Sequence, residues 1–133
     1  MSLLVLDASV VVNIVLDASD GFGFFKGHDL AAPPLMWSES RSVLHELRWR
    51  GQITPEVADI ARRALEDAPI RRENPAGLGD EAWSIADKLG WTKTYDAEYV
   101  ALAQILGCRV VTTERRLRSR AAPLGFVIGP TEL

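Results

Sequence analysis

Short apolar runs alternate with longer amphipathic stretches along most of the chain. Leucine and valine fill residues 3–6, a pattern typical of a strand that is buried on both faces of a parallel sheet. Shorter or more polar segments are the remaining strand candidates, at 30–32, 70–72, 109–112 and 126–128. Because these strands alternate with helical patterns, they predict a parallel sheet wrapped by helices, with right-handed crossovers.

Glycine, proline and capping residues divide the intervening chain into five predicted helices, at 10–16, 36–50, 54–67, 80–90 and 94–106. Asp7 or Ser9 is the expected cap of the first helix, and Asp80 that of the fourth. Segments 19–29 and 73–79 are rich in glycine or proline and are expected to be loops. Apolar positions at helical spacing predict one buried face of the second helix, formed by Met36, Ser40, Val43, Leu44 and Leu47. The four tryptophans and the three phenylalanines within residues 22–25 are expected mainly in the core.

Composition limits the possibilities further. The chain has 133 residues, of which 47% are hydrophobic and 25% charged, which predicts a single globular domain over 1–133. The one cysteine, Cys108, excludes an internal disulfide and a zinc–cysteine cluster. No apolar run approaches the roughly 20 residues of a membrane span. Only Met1 and Ser2 precede the first apolar run, so the positively charged leader of a secretory signal is not expected. We therefore expect a cytoplasmic protein.

Acidic residues fall where the strands of such a sheet end. Asp7 directly follows the first strand, and Glu114 follows the strand that ends at residue 112. Asp96 lies at the start of a helix, and Glu39 is expected in the first turn of its helix, on the flank of the apolar stripe. Because ligands of open parallel sheets bind beyond the carboxyl ends of the strands, these four carboxylates are expected to meet at one end of the sheet.

Each acid also has a simpler interpretation. Asp7 and Asp96 suit helix caps, Glu39 suits the helix dipole, and Glu114 suits a solvated turn. Together, however, the four exceed what capping requires. Clustered carboxylates repel one another unless a cation lies among them, and oxygen ligands without cysteine or a histidine motif suit Mg²⁺ or Mn²⁺. Such ions support phosphodiester hydrolysis.

Three segments make a family resemblance specific. They are LVLDASVVVN with Asp7 and Ser9, WSESRSVLHEL with Glu39, and TYDAEYVALAQILGCRVVTTERRL with Asp96 and the turn at 112–114. In this order and spacing they resemble the motifs of PIN-domain ribonucleases, in particular the VapC-type toxins of bacterial toxin–antitoxin pairs. The resemblance covers nearly the whole chain. One position departs from it, because Glu114 stands where the family usually carries Asp.

The resemblance implies a three-layer α/β/α PIN-like fold with a central, mainly parallel sheet of four or five strands. It implies an endoribonuclease that uses one or two Mg²⁺ ions, with Mn²⁺ able to substitute, and that cleaves tRNA or rRNA. Asp7, Glu39, Asp96 and Glu114 would be the catalytic and metal-binding residues, while Ser9 and Thr112 would orient a carboxylate or water. Attack by metal-activated water would leave 5′-phosphate and 3′-hydroxyl ends. A homodimer and a small cognate VapB-type antitoxin are the expected partners.

Five arginines lie between residues 109 and 120 of a chain whose net charge is −3. Overall charge therefore does not favour nucleic-acid binding, but Arg115 and Arg116 are candidates for a local rim that contacts RNA phosphates. A solvated helix surface is the alternative.

Three competing functions remain at this point. A haloacid-dehalogenase-type phosphatase would need a second Asp where Ser9 stands, and a receiver domain would need adjacent acids early in the chain. The third is a non-catalytic PIN-like binding module, which the substitution at Glu114 favours.

Overall fold

The computed structural model of the chain describes residues 2–17 and 21–133. Across these residues one sheet contains five strands: β1 (Ser2–Leu6), β2 (His28–Ala32), β3 (Arg71–Arg72), β4 (Arg109–Val111) and β5 (Val127–Ile128). Every neighbouring pair is parallel, in the order β3-β2-β1-β4-β5. The predicted α/β fold with a parallel sheet of four or five strands is therefore confirmed.

Six α-helices connect the strands within the described residues: α1 (Ala8–Leu16), α2 (Leu35–Trp49), α3 (Pro55–Glu66), α4 (Leu78–Leu89), α5 (Tyr95–Leu106) and α6 (Arg115–Arg120). Helices α1, α2 and α3 pack on one another, whereas α4 packs on α5, which contacts β1 and β4. Right-handed crossovers put the first three helices on one face of the sheet and α4 and α5 on the other. None of the helices in the described ranges has the length and apolar content that a membrane span requires.

The core lies on both faces of the central strands. Leu4, Val5 and Leu6 of β1 are fully buried, as expected for the middle strand of a sheet that is covered on both sides. Residues 99–103 of α5 are also fully buried, so this helix packs deep against the sheet although it begins at the same edge as the acidic residues.

Several helix boundaries differ from the sequence predictions. Helix α2 begins at Leu35 behind Pro34, which puts Glu39 in the second turn and not in the first. Helix α4 begins at Leu78 because Gly77 adopts a left-handed conformation (φ 86°), so Asp80 lies inside the first turn and is not the cap. Thr94 precedes α5, which likewise places Asp96 within the first turn. The interpretations of Asp80 and Asp96 as N-caps were wrong.

Other local predictions also need correction. The expected loop over 19–29 contains a 3₁₀ helix, Gly21–Phe25, while residues 19 and 20 lie outside the described ranges, and β2 starts at His28. Val43, predicted on the buried face of α2, is 42% exposed. Trp37 and Trp91 are in the core, as expected, but Trp49 and Trp83 are 80% and 70% exposed, which leaves two tryptophans on the surface.

Parallel pairing brings two loops to the same edge of the sheet. Leu6 of β1 pairs with Val111 of β4, so Asp7 and Thr112 follow neighbouring strands side by side. The backbone N–H of Asp7 donates to the carbonyl oxygen of Val111 at 3.1 Å, which extends the sheet ladder to this acid. The carboxyl ends of the two central strands therefore fix the position of Asp7.

Candidate active site

All four predicted carboxylates line one cleft of about 340 Å³ at the carboxyl end of the sheet. The lining consists of Asp7, Ala8, Ser9, Val12, Asn13, Glu39, Val43, Asp96, Thr113 and Glu114. Four elements supply the acids: the end of β1, α2, the start of α5 and the turn after β4. No lysine, arginine or histidine of the described residues is part of this lining. The cleft is therefore strongly acidic, as the positions of the four residues predict.

Two hydroxyl groups fix the side chain of Asp7. Ser9 Oγ donates to Asp7 Oδ2 at 2.8 Å, and Thr112 Oγ1 donates to the same oxygen at 2.6 Å. Each hydroxyl also accepts a backbone N–H: Ser9 from Thr113 at 3.1 Å and Thr112 from Glu114 at 3.0 Å. The network therefore orients the acid and the turn after β4 together. It agrees with the orienting role that the family resemblance implies for Ser9 and Thr112.

Asp7 occupies the N-cap position of α1, yet its carboxylate caps nothing. The backbone there is extended (φ −76°, ψ 154°), but the side chain accepts no backbone N–H from the first turn of the helix, as a capping side chain would. Asp7 is only 4% exposed and directs its Oδ2 to the two hydroxyls instead. Helix capping is therefore not the reason for an acid at this position.

Tyr99 holds the side chain of Glu39 by a hydrogen bond. The phenolic hydroxyl of Tyr99 donates to Glu39 Oε1, which joins α5 to α2 across 60 residues of sequence. Tyr99 is fully buried, and burial raises the pKa of its hydroxyl far above the ordinary value, with the charge of Glu39 adding to the effect. The hydroxyl therefore stays protonated and acts as a donor to the carboxylate.

Asp96 and Glu114 are held less firmly. Within 2–17 and 21–133, neither side chain makes a hydrogen bond or an ion pair of its own. Burial and the charge of Asp7 raise the pKa of each acid, and the charges of Arg116 and Arg120 partly offset that rise. The other two arginines of α6 have different surroundings. Arg118 pairs with Glu132, and Arg115 lines a separate surface cavity with Arg118.

The pKa values of Glu39, Asp96 and Glu114 are raised, in part by neighbouring acids. Burial is the main cause of the raised pKa of Glu39, followed by the charges of Asp7, Asp96 and Glu114, while the Tyr99 hydrogen bond partly offsets the rise. Burial also raises the pKa of Asp96 and of Glu114, and the charge of Asp7 adds to both. This mutual repulsion is the electrostatic condition that a bound cation would relieve.

The donor set fits a hard cation in its chemistry. Carboxylate oxygens are preferred ligands of Mg²⁺ and Mn²⁺, and the lining offers no thiol or imidazole that would favour zinc. The arrangement is not a finished cage, since no three Asp, Glu, His or Cys side chains in the described ranges stand close enough to hold an ion. Asp96 and Glu114, whose side chains no hydrogen bond restrains, are the ones able to rotate inward.

The sequence predictions missed two polar residues of this site. Asn13 lines the cleft four residues after Ser9, on the same face of α1, and this spacing of the two polar residues of an apolar helix was the available signal. Tyr99 follows Asp96 by three residues and is one of the buried residues of α5. Its contact with Glu39 joins two separate helices, which periodicity within either helix does not reveal.

Comparison with known proteins assigns this architecture to a family. Residues 4–123 match the PIN domain. Ribonuclease VapC3 of Mycobacterium tuberculosis is 33% identical to the chain over 129 residues, which cover 94% of this chain and 91% of that protein.

Solved structures show the same fold. The crystal structure of PAE2754 from Pyrobaculum aerophilum superposes with a TM-score of 0.73 at 19% identity, covering 97% of this chain and 84% of that one. A toxin–antitoxin complex from Klebsiella pneumoniae gives a TM-score of 0.66 at 14% identity, covering 96% and 97% of the two chains. The chain therefore belongs to the PIN-domain family and, within it, to the VapC-type ribonucleases.

Proposed function

We propose that this ribonuclease is a metal-dependent endonuclease that hydrolyses RNA phosphodiesters as the toxin of a toxin–antitoxin pair. One observation carries the proposal: Asp7, Glu39, Asp96 and Glu114 line a single cleft, and two hydroxyls lock Asp7 in place. Acids whose pKa values are raised by burial and by neighbouring carboxylates, as those of Glu39, Asp96 and Glu114 are, cost folding free energy. A catalytic role for the cluster explains why the chain tolerates that cost.

Mg²⁺, or Mn²⁺ in its place, would be held by Asp7, Glu39 and Asp96, with Glu114 as a fourth ligand. When bound, the ion supplies positive charge for the reacting phosphate and makes water a better nucleophile. The chain contributes the positioning. Ser9 and Thr112 both bind Asp7 Oδ2, so Oδ1 is the oxygen of this acid that would be left for an ion.

Arg116 and Arg120 are the chain's means of attracting a polyanion to an acidic cleft. The charges of both partly offset the raised pKa of Asp96 and of Glu114, so their positive field reaches the site. Of the predicted rim of Arg115 and Arg116, we therefore assign Arg116 to the RNA-contacting surface together with Arg120, since Arg115 lines a different cavity. The substrate that fits these features is RNA, and tRNA or rRNA is the class that the family resemblance implies.

The partner that we propose is a small cognate antitoxin of the VapB type. The superposition with the Klebsiella pneumoniae toxin–antitoxin complex, over 96% of this chain, supports such a partner. A homodimer of the chain is a further expectation from the family resemblance.

Cleavage of total bacterial RNA by the purified protein tests this function. The reaction is run with Mg²⁺, with Mn²⁺ and with EDTA, and the ends of the products are mapped. Asp7→Asn is the site variant. Asp29→Asn is the matched control, since Asp29 is an exposed acid at the opposite, amino end of the neighbouring strand β2.

We expect cuts at few sites that need the metal, carry 5′-phosphate and 3′-hydroxyl ends, persist in Asp29→Asn and are lost in Asp7→Asn. Cleavage in EDTA, or products with a cyclic phosphate, would contradict the mechanism. Absence of cleavage by folded wild-type protein across tRNA and rRNA would favour the alternative, a non-catalytic PIN-like binding module.

A further inference from the structure

Tyr99 links three parts of the cleft through a single hydroxyl group. It donates to Glu39 Oε1 of α2. The backbone of Ala8, the first residue of α1, also interacts with it and partly offsets the raised pKa of the tyrosine. Ala8 directly follows Asp7 and itself lines the cleft. The tyrosine therefore contacts one acid directly and the residue next to a second acid.

Packing makes Tyr99 a rigid support. Its side chain is fully buried in α5 and is the largest of the fully buried side chains of the described residues. Glu39 has a flexible side chain of three rotatable bonds at the wall of the cleft, and no other hydrogen bond within the described ranges holds its carboxylate. An immobile donor at Oε1 therefore restricts where the second oxygen, Oε2, can lie, and it reduces the rotamer freedom that metal binding would otherwise have to remove.

A neighbouring hydroxyl shows that a buried hydroxyl here need not contact an acid. Ser40 follows Glu39 in α2 and is fully buried, yet its Oγ donates to Met36 Sδ within the same helix. Ser40 thus satisfies its polar group without touching the cleft. Tyr99 reaches from a different helix, on the other face of the sheet, to the carboxylate that lines the site.

We propose that Tyr99 is a positioning residue of the reaction: it holds Glu39 by one oxygen so that the other is presented to the metal-binding cleft, in fixed relation to Asp7. This inference rests on the proposed function, in which Glu39 is a metal ligand. Hydrogen bonds to a ligating carboxylate of this kind fix its orientation, and their removal typically weakens metal affinity 10–100-fold.

The test compares Tyr99→Phe with wild type in two measurements. The first is Mn²⁺ binding without RNA, by titration calorimetry, where we expect roughly 10–100-fold weaker affinity. The second is RNA cleavage at saturating Mg²⁺, where we expect kcat to fall by about tenfold or more, since misplaced groups lose rate. KM for RNA should stay unchanged, because the buried tyrosine does not reach the RNA.

Two control variants separate positioning from general damage. Tyr95→Phe removes the same hydroxyl from the same helix at a residue that is 55% exposed. Ser40→Ala removes a fully buried hydroxyl beside Glu39 that does not contact it. Both should keep wild-type Mn²⁺ affinity and kcat. A folded Tyr99→Phe protein that also keeps both values would overturn the inference.

A double-mutant cycle with Glu39→Gln shows whether Tyr99 acts through Glu39. If it does, Tyr99→Phe causes little further loss of kcat once Glu39→Gln is present. Losses that multiply in full would contradict the inference. Should Tyr99→Phe fail to fold, Glu39→Asp breaks the same contact from the other side by shortening the acid, and unchanged Mn²⁺ affinity in that variant would equally count against it.

Wild-type protein in the same assays keeps the two proposals apart. If wild type neither binds Mn²⁺ nor cleaves RNA, the proposed function fails and the role of Tyr99 falls with it. If wild type does both and Tyr99→Phe matches it, only the inference about Tyr99 is wrong.

Discussion

The four acids of the cleft form two pairs that are held in different ways. Asp7 and Glu39, the fixed pair, accept hydrogen bonds from Ser9, Thr112 and Tyr99. Asp96 and Glu114, the adjustable pair, have no such bond within the described ranges and lie in the field of Arg116 and Arg120. All four are carboxylic acids that line the same cleft, and the two pairs differ in the hydrogen bonds that hold them.

This difference explains how a site can fit a cation in its chemistry without being a finished cage. Hydroxyl groups of the core set the fixed pair before any ligand arrives, which lowers the ordering cost of binding. The adjustable pair is able to move toward an ion because rotation breaks no hydrogen bond. We therefore expect the two pairs to differ in their sensitivity to substitution, and the following predictions are given from the largest effect to the smallest.

The largest contrast is expected between Glu39→Gln and Glu114→Gln. Loss of the charge on Glu39 should lower kcat/KM for RNA cleavage by roughly 10²–10³-fold, because a lost ligand forfeits several kcal/mol of charge stabilisation. Glu114→Gln should lower it by only about tenfold, because the adjustable pair can rearrange. Glu46→Gln, an exposed acid on the same helix as Glu39, is the control that should leave the rate unchanged. Equal losses at Glu39 and Glu114 would remove the distinction between the pairs.

Thr112→Val tests the support of the fixed pair itself. The substitution keeps the shape of the side chain but removes both the donor to Asp7 and the acceptor of the Glu114 N–H. Unfolding free energy should fall by about 1–3 kcal/mol, since a buried hydrogen-bond partner is left without its bond. Cleavage should fall roughly tenfold or more through the loosened Asp7.

Thr92→Val is the matched control for that experiment, because Thr92 is exposed in the loop between α4 and α5. Thr92→Val should change neither the unfolding free energy measured by chemical denaturation nor the rate of RNA cleavage. If Thr112→Val lost stability while keeping full activity per folded molecule, the hydroxyl would serve folding alone.

Arg116→Ala and Arg115→Ala are predicted to differ in their effect on RNA binding, although the two arginines are adjacent. Arg116 acts on Asp96 and Glu114, whereas Arg115 faces a different cavity. RNA binding by Arg116→Ala should be weaker, and its slope against log salt should be shallower by roughly 0.7 for one lost contact to single-stranded phosphate. Binding titrations over a series of salt concentrations measure this slope, and a larger change in Arg115→Ala would reverse the assignment.

The smallest expected effect is on the pH dependence of stability without metal. The pKa values of Glu39, Asp96 and Glu114 are raised above 4.5, 3.8 and 4.5, chiefly by burial, so the folded state binds more protons than the unfolded state above about pH 4. The slope of unfolding free energy against pH from these groups is then negative. Their contribution should decrease as the pH rises from about 4 through the raised pKa values.

Thermal melting in EDTA across this range, with Asp96→Asn combined with Glu114→Gln as the comparison, isolates the effect. The variant should gain stability over wild type as the pH rises. A gap that does not change with pH would show that the adjustable pair does not titrate as described.

The sequence predicted where the acids lie better than it predicted the hydrogen bonds that hold them. The strand at 3–6 and its following Asp7 could be placed because a buried apolar run has one simple interpretation in a parallel sheet. Glu39 could be assigned to the cleft although its helix begins one residue earlier than expected, because the flank of an apolar stripe tolerates a small change of register. The contact between Tyr99 and Glu39 could not be predicted, since it depends on how α5 and α2 meet at the sheet edge.

The predictions for the tryptophans and for the start of α4 were wrong for related reasons. Trp49 and Trp83 carry strong hydrophobic signals, but their exposure depends on which helix face meets a neighbour. Asp80 suits a cap by residue type, yet the left-handed conformation of Gly77 starts the helix earlier. Composition and local propensity cannot rank such alternatives without the tertiary packing.

Anomalous diffraction from crystals soaked in Mn²⁺ tests most directly whether the cleft is a metal-dependent catalytic centre. Wild-type protein and Asp7→Asn are compared at one Mn²⁺ concentration, at which the wild-type protein also cleaves RNA in solution. The account predicts an anomalous peak against Asp7 and at least one other acid of the cleft in wild type, and no such peak in Asp7→Asn. Efficient cleavage by wild type with no manganese in the cleft would contradict it.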